Sequence, residues 1–140
     1  MRTAVDSNVF VALWSSDDGV SRLAESALDE SADLGGLVIC PAVFCELVAA
    51  PGRDERFVTE FLRATSVTVE WDLEEGIWRA AGEAFRGYAA GRRKQKEPGP
   101  RRLLADFLIG AHAARRANRL LTLDERHYRA AFPRLTTLTF

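Results

Sequence analysis

Thr3-Ala4-Val5-Asp6-Ser7-Asn8-Val9-Phe10-Val11-Ala12-Leu13-Trp14 decides how the chain is read, because its pattern changes in the middle. Thr3 to Asp6 has the makings of a short buried strand, and Val9, Phe10, Leu13 and Trp14 then recur at helical spacing, with Ser7 offering an N-cap. A carboxylate, Asp6, therefore stands where a strand stops and a helix begins. The same junction returns near the other end of the chain. Arg119 to Leu123 reads as a strand, Asp124 opens a short helix to Phe132, and Leu135 to Phe140 reads as a terminal strand.

Between these junctions strands and helices alternate. Val20 to Ala32 carries Leu23, Ala24, Ala27 and Leu28 at helical spacing, and Gly35-Gly36 breaks it before the apolar strand Leu37 to Cys40. Pro41 opens a helix bearing Val43, Phe44, Leu47 and Val48, which Pro51-Gly52 closes. Phe57 to Leu62 continues as helix, Val67 to Trp71 alternates as a short strand, and a long amphipathic helix follows from about Glu74 to about Arg92. Pro98-Gly99-Pro100 interrupts the basic segment Arg92 to Arg102, where a loop or a frayed helix end is expected, and Leu103 to Ala117 is a strongly apolar helix. Such alternation implies parallel pairing through right-handed crossovers. The expected fold is α/β, a three-layer sandwich with a central, mostly parallel sheet whose ligands collect at the carboxyl ends of the strands.

Composition sets the limits. At 140 residues the chain fits one domain, residues 1–140, with no internal repeat or linker. No stretch reaches the roughly 18 uninterrupted apolar residues of a bilayer span, and no signal-peptide pattern opens the sequence, so the expectation is a cytoplasmic protein with no membrane role. Cys40 and Cys45 lie in an apolar stretch that suits buried thiols better than a disulfide or a zinc site. The net charge of −1 hides a polarity: residues 1–75 hold 15 acids and 5 bases, residues 76–140 hold 5 acids and 14 bases. That asymmetry suggests an acidic and a basic surface, the second able to contact phosphate; helix faces of differing sign would give the same count.

Glu46 and Asp106 stand out, each being the sole charge inside an apolar helical run, Pro41 to Ala50 and Leu103 to Ala114. Burying an ionised acid costs several kcal/mol unless a cation or hydrogen bonds compensate, so something positive is expected beside them. A position on the wet face of each helix is the competing explanation, as N-capping is for Asp6 and Asp124. Gly110 and Ala113 keep one stripe of the Asp106 helix small, leaving room for a ligand or a close neighbour. Four carboxylates meeting at one point would repel each other, and all-oxygen ligation by them selects Mg2+ or Mn2+ over zinc. A site of that kind activates water and neutralises charge in phosphoryl displacement. Asn8 and Thr122 are polar groups placed to support the acids or orient water, or else to serve turns. Arg92, Arg93, Lys94, Lys96, Arg101 and Arg102 lead directly into the Asp106 helix and are candidates for salt-dependent phosphate contacts with a polyanion, a solvated helix end being the alternative. His112 and His127 are assigned to packing or surface, and Trp14, Trp71 and Trp78 to the core.

The segments Val5-Asp6-Ser7-Asn8, Phe44-Cys45-Glu46-Leu47, Leu104-Ala105-Asp106-Phe107-Leu108-Ile109-Gly110-Ala111-His112-Ala113 and Leu121-Thr122-Leu123-Asp124, in that order, are what makes the chain similar to another group of proteins. Over essentially its whole length it resembles the PIN-domain family, in particular the VapC-type toxins of toxin–antitoxin pairs. The resemblance implies a Mg2+ or Mn2+ site at Asp6, Glu46, Asp106 and Asp124, with endonucleolytic cleavage of RNA by an activated water to leave 5′-phosphate and 3′-hydroxyl ends. It also implies a homodimer neutralised by a VapB-type antitoxin whose C-terminal segment occupies a groove near the active site. The proline- and arginine-rich approach to Asp106 departs from the pattern and bears on substrate access.

Three other readings compete. A phosphorylatable receiver domain needs a lysine near its acids, and Lys94 and Lys96 both lie in the basic loop instead. Another metal-dependent phosphoesterase, acting on DNA or small esters, would use the same carboxylates. A catalytically silent PIN-like binding domain would not need to keep all four.

Overall fold

A computed structural model describes residues 1–95 and 102–140. The elements follow in the order β1 (Thr3–Val5), α1 (Ser7–Leu13), α2 (Asp18–Leu34), β2 (Leu37–Ile39), α3 (Pro41–Ala49), α4 (Glu55–Ala64), β3 (Val67–Val69), α5 (Glu75–Gln95), α6 (Leu104–Arg116), β4 (Arg119–Leu121), α7 (Glu125–Ala131) and β5 (Thr137–Leu138). Every strand and helix expected from the sequence is present, with ends shifted by a few residues. The Pro98-Gly99-Pro100 interruption, Lys96 and Arg101 lie outside the described residues.

All strand pairs are parallel, and the order across the five-stranded sheet is β3-β2-β1-β4-β5. The chain thus walks outward from β1 to β3, then returns past β1 to β4 and β5. Crossovers of one hand running in opposite directions put their helices on opposite faces, which makes the three layers. Strands β1 and β2 are buried throughout, as near-continuous apolar runs between two helical layers should be. Register is fixed where Thr3, Ala4 and Val5 face Arg119, Leu120 and Leu121. The core joins Val5, Phe10, Ile39, Leu47, Phe107, Ile109 and Leu120, each at most 1% exposed.

Two glycines are required by close approach. A Cβ on Gly35 would sit 1.9 Å from the Met1 carbonyl oxygen, and one on Gly110 would sit 2.2 Å from the Phe132 ring. The small stripe on α6 therefore admits a neighbouring side chain rather than a ligand.

Three side-chain assignments are corrected. Ser7 is the first residue of α1, so Asp6 takes the N-cap position. Cys40 is buried, but Cys45 is exposed on the outer side of α3, and both thiols are free. Trp71 and Trp78 are more than half exposed: Trp71 lies beyond the end of β3, and Trp78 flanks the face of α5 that buries Ile77 and Ala81. Trp14 is half-buried and packs edge-on to Phe57 and Phe61. Among the described residues, no helix is long and apolar enough to cross a membrane.

Candidate active site

The sheet reverses its winding direction between β1 and β4, which opens a crevice at their carboxyl ends. Asp6 follows β1 directly, and its backbone N–H donates to the Leu121 carbonyl at 3.0 Å, an extension of the β1–β4 ladder. Its side chain is only 5% exposed. Thr122, fully buried just past β4, donates its hydroxyl to Asp6 Oδ2 at 2.8 Å and accepts the Asp124 N–H at 2.9 Å. One threonine thus ties the two strand-end aspartates together.

Neither aspartate serves as a helix cap. Asp17 and Asp54 accept backbone N–H bonds at the starts of α2 and α4, whereas Asp6 and Asp124, in the equivalent positions, make no such side-chain cap bond. Their carboxylates are turned to other uses.

Glu46 reaches the same place from α3. Ser7 donates its hydroxyl to Glu46 Oε1 at 2.9 Å and stands 3.4 Å from Asp6 Oδ1, so it sits between the two acids. Asp106 comes from the first turn of α6, where Oδ2 accepts the Leu103 N–H at 3.1 Å. Glu46 is exposed and Asp106 half-buried, so neither is an acid sunk in the core. The wet-face explanation is right about their exposure, yet both helices aim their acids at the β1 end.

Among the described residues, no cation is bonded to the side chains of Asp6, Glu46 or Asp106. Burial pushes the Asp6 carboxyl above its ordinary range, against the Thr122 hydrogen bond, and the Asp106 charge adds to the rise. Partial burial likewise raises Glu46, opposed by Ser7 and reinforced by Asp6 and Asp106. The Tyr128 hydroxyl lies close enough to Asp6 to feel its charge, but makes no hydrogen bond of acceptable geometry among the described residues. Burial and the fields of Asp6, Asp106 and Glu46 keep that phenol from ionising.

Asp124 behaves differently. Arg102 grips it with both ends of the guanidinium, Nη1 to Oδ2 and Nη2 to Oδ1, the second at 3.3 Å. The backbone N–H of Arg102 in turn donates to the Tyr88 hydroxyl at 2.8 Å. His127, buried beside Phe107 and Tyr128, is held below its usual pKa by burial and by the nearby Arg102 charge.

Among the described residues, no three acid, histidine or cysteine side chains form a finished cation cage. The donor set nevertheless suits a hard divalent ion: three mutually repelling carboxylates, all-oxygen ligands, and an orphaned buried hydroxyl at their back. Asn8 does not face the acids; its Oδ1 accepts the Leu123 N–H at 3.1 Å and fixes the turn that leads to Asp124. Arg93 and Lys94 are exposed at the end of α5, and Arg92 is half-buried against the Tyr88 hydroxyl at 3.4 Å. Sequence reasoning missed Ser7 as a link between acids, Tyr128 as their buried neighbour and Arg102 as a partner for Asp124. Only Tyr128 left a signal, being four residues past Asp124 and so one helical turn on.

The PIN domain family matches residues 3–133. Among solved structures the chain is similar to VapBC2 from Rickettsia felis, bound to a DNA fragment from the promoter, at 18% identity with a TM-score of 0.65, covering 99% of this chain and 98% of that one. It is similar to VapBC-1 from nontypeable Haemophilus influenzae at 18% identity and TM-score 0.67, over 99% and 98% of the two chains. FitAcB from Neisseria gonorrhoeae gives 18% identity and TM-score 0.59 over 97% and 96%. At such identity these likenesses concern the fold. No curated protein matches the sequence.

Proposed function

Given that the chain belongs to the PIN-domain family, whose members are generally nucleases, we propose that it is a metal-dependent endoribonuclease and the toxin of a type II toxin–antitoxin module. One observation carries this reading: Asp6, Glu46 and Asp106 are gathered at the switch point of a parallel sheet, the first two joined through the Ser7 hydroxyl, with no cation bonded to their side chains among the described residues.

Asp6, Glu46, Asp106 and Asp124 are the residues that would hold Mg2+ or Mn2+. Bound there, such an ion supplies Lewis acidity, a lowered pKa for water and charge neutralisation at phosphorus. Thr122 fixes the Asp6 rotamer, Ser7 fixes Glu46 beside it, and the buried Tyr128 closes the rear of the site to bulk water. Water adds to the phosphorus, the bond to the 3′ oxygen breaks, and the ends left are 5′-phosphate and 3′-hydroxyl. Arg92, Arg93, Lys94 and Arg102, with Lys96 and Arg101 between them in the sequence, supply positive charge along the approach for the RNA backbone.

The partner is a VapB-type antitoxin protein, and the functional unit is a homodimer in the cytoplasm. A groove of about 250 Å3 lined by Phe10, Leu13, Leu28 and Phe61, with Glu25 and Asp29 on its rim, suits an apolar segment carrying basic residues. It borders α1, the helix that starts beside Asp6.

The test is to incubate the purified protein with total RNA and Mn2+ and map new 5′ ends, with DNA and a chromogenic monoester in parallel. Cleavage of RNA that EDTA stops is the expected result. Turnover of the monoester alone would make the chain a different phosphoesterase, and no turnover of any of the three would make it a silent binding domain.

A further inference from the structure

We propose that Arg102 is a positioning residue that acts through Asp124, a built-in competitor of the divalent cation that must leave before the fourth carboxylate can bind metal. The proposal rests on the reading of this carboxylate group as a divalent-metal site.

Three observations carry it. The guanidinium engages both oxygens of Asp124, the planar fork geometry that leaves a carboxylate little room for another cation. The pair is partly sheltered, with side chains 29% and 31% exposed, so it is less screened than a surface ion pair. Arg102 is also anchored: its N–H is bonded to Tyr88 on α5, which holds its backbone beside the first turn of α6 and within the field of Asp106. Its positive charge therefore stands at the edge of the acid group.

An arriving divalent ion meets a like charge at the rim and an occupied ligand. It either does without Asp124 or displaces Arg102. Both routes weaken its binding relative to a site without the arginine. Freeing the unit charge of Asp124 to face the ion in a partly sheltered site corresponds to roughly a tenfold change in affinity. The sign is informative, because damage to the fold would loosen metal binding, whereas removal of a competitor tightens it.

The experiment is calorimetric titration of RNA-free protein with Mn2+, using wild type, Arg102→Gln, Arg102→Met and Arg102→Lys, each checked for folding by a thermal melt. The two neutral variants are expected to bind Mn2+ roughly tenfold tighter than wild type, and the lysine variant, which keeps the charge, to stay within about threefold of it. In an Asp124→Asn background the gain from Arg102→Gln should shrink to within about threefold. Equal or weaker binding by both neutral variants, or a full gain without Asp124, would overturn the role of Arg102 and leave the metal site standing. No Mn2+ binding by any of these proteins would overturn the metal-site reading, and this proposal with it.

Discussion

Two groups of charges in this molecule are built on opposite plans. At Glu70, one acid is ringed by an imidazole and two guanidinium groups: His112 Nε2 at 2.8 Å, Arg116 at 3.0 Å and Arg2 at 3.1 Å. Burial alone would raise Glu70, but the hydrogen bonds from Arg116, His112 and Arg2 outweigh it and hold the carboxyl below its usual range. At the β1 end three acids share a space, and among the described residues the guanidinium beside them, Arg102, is bonded to a fourth. The first group meets its acid with basic side chains and cross-links the start of β1, the end of β3 and α6. The second is left open, and an open group of like charges calls for a counter-ion from outside. Folds that pair charge to completion are doing architecture, and those that leave it unpaired pay for function.

The largest test of this contrast is catalytic. Asp6→Asn or Asp106→Asn should reduce EDTA-sensitive RNA cleavage by about 10^3-fold or more while the protein still folds, whereas Glu70→Gln should stay within about threefold of wild type. Full activity in either aspartate variant would erase the distinction. Next in size is the response to metal. Mn2+ at about a hundred times its dissociation constant should stabilise the wild type by about 2.7 kcal/mol, a rise in Tm of roughly 5–10 °C, and Asp6→Asn should lose most of it. Smaller again, Glu70→Gln should destabilise by about 1 kcal/mol in urea melts, a modest figure because Arg2 and Arg116 stand half in solvent.

The finest test is pH, where the two groups should move oppositely. Asp6 and Glu46 have raised pKa values in the folded protein, so their protonated forms stabilise it below the ordinary 3.8 and 4.5, and that contribution is lost as pH rises through the raised values. Glu70 is depressed, so its contribution is present above 4.5 and lost as pH falls through its lowered value. In EDTA, between about pH 3 and about pH 7, the stability of wild type relative to Asp6→Asn should fall with rising pH, and relative to Glu70→Gln it should fall with declining pH. Parallel slopes would merge the two groups into one kind.

Much of this was legible in the sequence because it is local. The change of period at Asp6, the helix opened by Pro41 and the apolar run around Asp106 each declare an element within a dozen residues, and four acids at strand ends or alone in apolar helices mark the candidate site. The PIN likeness followed from their order. What stayed hidden is pairing across the fold. Glu70 meets His112 over a separation of 42 residues, and Arg102 meets Asp124 over 22; no periodicity records which of many arginines will face which acid. Exposure of single aromatics was also out of reach, because Trp71 and Trp78 lie just outside the buried faces of β3 and α5, where a shift of one position decides. Asp6 and Asp124 resemble caps in sequence, and it takes the bonds of Thr122 to Asp6 and of Arg102 to Asp124 to show both turned elsewhere.

Strand β1 is held on one side by β2 and on the other by β4, and the Thr122–Asp6 bond spans 116 residues. Loop closure over that distance comes late, since β4 must be inserted beside a strand that leaves the ribosome first. A nascent or prematurely terminated polypeptide therefore has Asp6 without its threonine and β1 without a flank. Decoding alone delays the meeting of Asp6 with Thr122, since the chain must grow by 116 positions before the pair can form.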